Sequence, residues 1–539
     1  MSMNAFPYLT VLTVAPAVGG AVVAAVPRTR ATLAKGLALA WSVVVLGVTV
    51  AAYVAFDAGG ARFQLRESYQ WIPAWGARLT FATDGIALVL LMLIGILVPV
   101  VILASWHDTD GGEVKGRGKH SAGSAGAPAP TGVARSASAY FALLLFLEST
   151  MLGVFAAQDI FLFYVFFEVM LVPMYFLIGS YGGQRRQYAA VKFFLYSLVG
   201  GLFMLAAVIG LWVVGGHTFD WQKLVDANFA TNTERWLFLG FFLAFAIKAP
   251  FFPFHTWLPD AGGAAPAGSA ALLVGVLDKV GTFGILRYCL PLFPHASKYF
   301  APLGLTLALV GIIYGALLAI GQNDLKRLVS YTSIAHFGFI GIGIFAFTTQ
   351  AATGAVLYMV NHGLATGLLF LVVGMFVSRR GSASVADFGG AGKLVPVLSG
   401  VLLIAGLASL ALPGTSPFVS EFLVLVGTFT VNKTVAVIAT TGIVLAAGYV
   451  LWMVQRTTHG TPNPALAKIA GMRRDLSVRE GIVVAPLILL ILGLGVYPKP
   501  IIDVINPAVR ATLSDIGAHD PAPSNPAPNV GTASKETGK

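Results

Sequence analysis

Apolar runs of about twenty residues recur along almost the whole chain, about 14 of them, each long enough to cross a bilayer as a helix. In hydrocarbon every backbone N–H and C=O must be satisfied within the protein, so such runs can only be helices packed on one another. With 57% hydrophobic and 11% charged residues and a mean hydropathy of +0.81, the 539-residue chain reads as an all-α polytopic membrane protein. The predicted spans are 7–26, 35–56, 84–106, 139–157, 160–179, 187–214, 235–259, 265–290, 300–321, 326–347, 351–377, 394–429, 431–455 and 479–498. Residues 1–106 thus carry helices 1–3. A flexible loop at 107–138 follows, built around GGEVKGRGKHSAGSAGAPAPTG, and the Ala- and Pro-rich stretch at 507–539 is expected to be disordered.

The formal charge of +11 does not require a nucleic acid. Arg28, Arg30, Lys115, Arg185, Arg186, Lys326, Arg327, Arg379 and Arg380 all fall in loops after odd-numbered spans, and the positive-inside bias accounts for them. Those loops are predicted to be cytoplasmic, with both termini outside. Cys289 is the only cysteine, so the chain can hold neither an internal disulfide nor a thiolate-ligated cluster. No phosphate-binding or dinucleotide-binding glycine motif and no HExxH are present. Redox chemistry would have to belong to partners.

Two spans are interrupted. In FAIKAPFFPFHTWLP, Lys248 is followed at once by Pro250 and Pro253, which remove backbone donors. A lysine snorkelling to the interface is the plain alternative, but the apolar run continues through Trp257, which favours a functional site. The twelfth span reads SLALPGTSPFVSEF, broken by Pro413, Gly414 and Pro417, with Glu421 just beyond. The two breaks lie five spans apart, and an odd offset reverses direction. Helices 4–8 (139–290) and 9–13 (300–455) are therefore predicted to be inverted five-helix repeats, each containing a broken helix, with 479–498 as the last crossing.

Ionisable residues inside spans are costly and mark ion paths. Here they are Glu148, Glu168, Lys192, Lys248, Asp278, Lys279, His336, His362 and Glu421. Glu168 and Lys248 are each alone in their apolar stretch, and the economical expectation is that they pair. Asp278 and Lys279 are neighbours on a helix, about 100° apart, and are not expected to face each other. His336 and His362 are packing residues or proton carriers, and their place in chain order between the lysines and Glu421 favours carriers. No His/Asp/Glu set has metal-ligand spacing.

The stretches FLFYVFFEVMLVPMYFLIG, YAAVKFFLYSLVG, FAIKAPFFPFHTWLPDA, LKRLVSYTSIAHFGFIGIG, NHGLATGLLFLVVGM and LPGTSPFVSEFLVLVG resemble the antiporter-like subunits of the proton-pumping NADH:quinone oxidoreductase, respiratory complex I. The likeness is strong over 139–455. It implies a translocase subunit of a bacterial cell membrane, with no cofactor of its own. FMN, iron–sulfur clusters and quinone would belong to partner subunits. It places the family's glutamate–lysine pair at Glu168 and Lys248, its central lysine at Lys279 and its exit-side residue at Glu421. His336 and His362 would connect them, and Glu148 would be the inter-subunit acid. Glu421 sets the chain apart from the sibling types L and N, which would be its neighbours. It also separates the chain from Mrp-type sodium/proton antiporter chains, the alternative reading, because all of these generally carry lysine there. Two departures stand out. LPDAGGAAPAGSA lacks the family's histidine and acidic or amide residue after Asp–Ala, and Asp278 stands where relatives usually have an apolar residue.

Overall fold

A computed structural model of the chain describes residues 6–109, 136–462 and 464–521, so Gly111–Gly132 of the expected loop lies outside the described residues. Helices fill each predicted span. They are α1 (Tyr8–Ala24), α2 (Ala31–Ala55), α3 (Gly85–Ala104), α4 (Ala137–Ala156), α5 (Ile160–Tyr181), α6 (Arg186–Val214) and α7 (Thr231–Lys248). After a break come α8 (Trp257–Ala264), α9 (Ala267–Leu292), α10 (Pro294–Ile320), α11 (Leu325–Phe345) and α12 (Thr349–Arg380). The second interrupted span gives α13 (Pro396–Ser409) and α14 (Ser416–Phe429), followed by α15 (Lys433–Thr458) and α16 (Val478–Val496). Eleven helices among the described residues are long and apolar enough to cross a membrane, and α1, α13 and α14 are shorter apolar helices.

Short polar side chains start several of these helices by accepting from first-turn N–H groups. Asp84 accepts from Ala87, Thr348 from Ala351 and Asp324 from Arg327, while Ser477 and Glu480 form a reciprocal capping box on α16. The centre of the bundle is α9 and α12, buried along their whole apolar stretches. α12 packs on α9, α11 and α14, which gathers the interrupted helices around one axis. α9 is not a plain α-helix. Two π-helical turns, Leu273–Leu277 and Ile285–Cys289, flank its middle, and such turns concentrate at functional sites.

Two expectations need correction. The chain is not wholly α: Gln64–Ile72 and Ala77–Thr83 form an antiparallel hairpin, β1–β2, with Tyr69 opposite Leu79. Its turn uses Gly76 at φ +69°, where a Cβ would also meet the His217 carbonyl. Glu67 of β1 accepts from the backbone of Leu9 (2.8 Å) and Thr10 (3.0 Å), so the hairpin caps α1. Nor is the chain without structure from residue 507. Lys499–Asp515 is an amphipathic helix, α17, which buries Val504, Ile505, Ala508 and Val509 against the bundle. Pro507 sits inside it, and apolar burial outweighs the poor local propensity. Residues 522–539 lie outside the described ones.

Candidate functional site

α7 stops at Lys248 because no helical partner exists for the chain through Pro250 and Pro253. The freed groups find other bonds: Phe251 N donates to Ala246 O (2.9 Å), and the Trp257 indole donates to Ile247 O (2.9 Å). Lys248 is buried at this break. Its Nζ has no hydrogen-bond partner among the described residues and lies 5.3 Å and 5.5 Å from the ring centroids of Phe167 and Phe193. Glu168 on α5 does not touch it, which corrects the expected pair. The carboxylate of Glu168 instead presses on Gly201 of α6, where a Cβ would overlap it. No hydrogen bond or ion pair joins the two groups, which leaves charge acting over distance as their link.

Lys279 occupies the middle of α9 between the two π turns and is fully buried. Its Nζ donates to the Val274 carbonyl and makes an ion pair with Asp278 at 3.1 Å. The neighbours therefore do meet, contrary to expectation, because the long lysine arm folds back over the preceding turn. The same Nζ is 2.5 Å from His362 Nδ1 on α12.

From His362 the line of contacts continues, by ring packing at two of its links. Its Nε2 is 3.0 Å from Ser333 Oγ on α11, and its ring centroid is 5.2 Å from that of His336. His336 Nε2 is 3.4 Å from the Tyr449 hydroxyl, and its ring is 5.9 Å from Tyr358. Tyr358 donates to Glu421 Oε2 at 2.9 Å. Asn361, beside His362 on α12, donates to the Ser416 carbonyl (2.7 Å) and so ties α12 to the start of α14. Lys279, His362, His336 and Glu421 are thus strung on one buried line over four helices. Tyr358 was missed from sequence. Its signal was a phenol one turn before His362 in an apolar run.

Glu148 lies apart from this line on α4, fully buried, with neither carboxylate oxygen hydrogen-bonded among the described residues. Lys192 is also elsewhere, paired with Asp260 at 2.7 Å; Asp260 in turn meets Arg327 at 2.5 Å. Asp260 and Arg327 border a cavity of about 670 Å³, together with Gly263, Asp324 and Lys326. The small residues after Asp260 fit this place, since a Cβ at Gly262 would collide with Ser330 Oγ. No group of His, Cys, Asp and Glu among the described residues could hold a metal ion.

A family described as NADH:quinone oxidoreductase/Mrp antiporter, transmembrane, matches residues 157–446. NADH-quinone oxidoreductase subunit M of Mycobacterium tuberculosis is 48% identical over 98% of this chain and 99% of the relative. Among solved structures, a chain of respiratory complex I from Thermus thermophilus with bound NADH superposes with TM-score 0.81 at 29% identity, covering 95% of this chain and 100% of that one. A chain of the Mrp complex from Dietzia sp. DQ12-45-1b gives TM-score 0.77 at 21% identity, covering 96% of this chain and 54% of its own.

Proposed function

Because the chain belongs to the NADH:quinone oxidoreductase/Mrp antiporter transmembrane family, we infer that it is the proton-translocating, antiporter-like M-type subunit of a complex I. Full-length identity of 48% to a subunit M separates this reading from the Mrp one, where the likeness is of fold alone. The enzyme is the whole complex: NADH oxidation and quinone reduction belong to partners that carry FMN, iron–sulfur clusters and quinone. L- and N-type subunits would flank this one in a bacterial cell membrane.

Within the subunit we assign proton transfer to Glu168, Lys248, Lys279, His362, His336 and Glu421, with Glu148 as a buried connecting acid toward a neighbouring subunit. The observation that carries the assignment is the continuous buried set of contacts from Lys279 through His362 and His336 to Tyr358 and Glu421. A lysine that gives its proton to an imidazole 2.5 Å away needs no further approach. The imidazole, having two nitrogens, can receive on one and release from the other. We further read the molecule as about 14 crossings with two inverted five-helix repeats. Supporting this, α7 and α13 each stop at the predicted break, at Lys248 and at Ser409.

The test is proton uptake by proteoliposomes holding the intact complex, driven by NADH. Lys279→Ala should abolish this subunit's share of pumping. Parental pumping would remove Lys279 from the path, and sodium-dependent transport without NADH-oxidising partners would restore the Mrp reading.

A further inference from the structure

Asp278 is the one buried acid on α9, and the relay described above makes no use of it. Its side chain is wholly enclosed. Oδ1 faces Lys279 Nζ at 3.1 Å, and Oδ2 has no hydrogen-bond partner among the described residues.

The other face of α9 at this level lies against the α7 break. Gly281, whose N–H donates to the Asp278 carbonyl, packs so closely that a Cβ there would stand 2.5 Å from both Ala249 N and Phe245 O. Only glycine allows this approach, and it brings the residue after Lys248 against the turn that carries Asp278. Lys248 Nζ and Asp278 Oδ2 are thus unpartnered polar atoms on two helices in contact. Glu168 and Asp278 are the two acids whose charge acts on Lys248. The relay also has a gap between Lys248 and Lys279, which make no contact, and two buried ammonium groups so placed repel. A carboxylate between them offsets that repulsion and can also hold a proton.

We propose that Asp278 is a proton-carrying residue that links Lys248 to Lys279, receiving at Oδ2 and, after its carboxyl turns, releasing toward Lys279. The proposal rests on the relay reading above. In the first step a Lys279 N–H bond breaks as an N–H bond forms at His362 Nδ1, leaving a neutral amine and an imidazolium. Lys248 then gives a proton to Oδ2 of the Asp278 carboxylate, through one intervening water or by a swing of its arm, since the two groups are not in contact. Finally the carboxyl turns about its Cβ–Cγ bond, and its O–H bond breaks as an N–H bond forms at the Lys279 amine. One proton moves from Lys248 to His362, and only N–H and O–H bonds change.

The experiment uses the intact complex in proteoliposomes, with Asp278→Asn, Asp278→Glu and Lys279→Ala side by side. Asparagine keeps the shape but cannot exchange a proton, so NADH-driven proton uptake should fall about tenfold or more, and glutamate should restore most of it. Infrared difference spectra under turnover should contain a protonated-carboxyl band that is absent in Asp278→Asn and shifted in Asp278→Glu. Parental pumping by Asp278→Asn, or a band unchanged in Asp278→Glu, overturns the proposal. The glutamate variant carries the test if the asparagine variant does not assemble. Loss of pumping in Lys279→Ala alone would leave the relay standing and remove Asp278 from it. Parental pumping in Lys279→Ala would remove the relay itself.

Discussion

Tyr358 and His362 stand one turn apart on α12 and serve opposite directions: the Tyr358 hydroxyl bonds to Glu421 at 2.9 Å, while His362 Nδ1 faces Lys279 at 2.5 Å. One buried helix therefore carries both ends of the link between the central lysine and the acid on α14. Side chains four apart lie on the same helix face, so the spacing is what allows it.

Removing the phenol oxygen should break that link with little loss of packing. Tyr358→Phe leaves a buried carboxyl short of a donor, a penalty of about 1–3 kcal/mol, or about a tenfold slower proton transfer if it falls on the relay step. Proton uptake per NADH oxidised, measured in proteoliposomes, should drop by that order. Parental coupling would make Tyr358 a packing residue.

Glu421 is assigned a proton-exchanging role, which separates its two conservative replacements. Glu421→Gln preserves the bond from Tyr358 but cannot release a proton, so pumping should be lost. Glu421→Asp should keep part of it. Equal pumping by the glutamine variant would reduce Glu421 to a hydrogen-bond acceptor.

Gly201 offers a way to move Glu168 without changing its chemistry. A Cβ at 201 would occupy the space of the carboxylate, so Gly201→Ala should displace Glu168 and slow pumping, with an overpacking cost of about 1–3 kcal/mol. Gly47→Ala, where a Cβ meets nothing within 4 Å, is the control and should behave as the parent. If the two variants pump alike, the position of Glu168 does not matter.

Glu168 and Lys248 should still behave as a unit although they do not touch. Glu168→Ala and Lys248→Ala should each stop pumping and slow quinone reduction. The double variant should assemble better than Glu168→Ala alone, because it leaves no buried charge without its counterpart. Assembly is read from the amount of intact complex in membranes. An assembly defect that is simply the sum of the two single ones would mean that Glu168 and Lys248 are not coupled.

Much of this site was legible in the sequence, and the reason is solvation. In an apolar run a lone Glu168, Lys248 or Glu421 has few uses, so its presence alone marks it, and Pro250 and Pro253 announce a break by the donors they lack. What burial cost does not reveal is who meets whom. Glu168 and Lys248 looked like obligatory partners, yet the close approach of α5 to Gly201 turns the carboxylate elsewhere. Asp278 and Lys279 looked divergent under ideal α geometry, yet a π turn and a flexible arm bring them to 3.1 Å. Tyr358 was hidden because a tyrosine in a membrane helix is ordinary until its hydroxyl is seen on a carboxylate. The hairpin and α17 escaped because neither is uniformly apolar, and both owe their order to the bundle they lie on.

The placement of α17 fixes the timetable of the protein's manufacture. It lies across α3 and α12, with its Val504 carbonyl against Gly85 at the start of α3. Asp515 bonds Arg62 at 2.6 Å across 453 positions of sequence. That end of the bundle therefore stays open while nearly the whole chain is being synthesised, and the last described helix closes it. A chain cut short between α16 and α17 would leave uncovered the faces of α3 and α12 that α17 packs on.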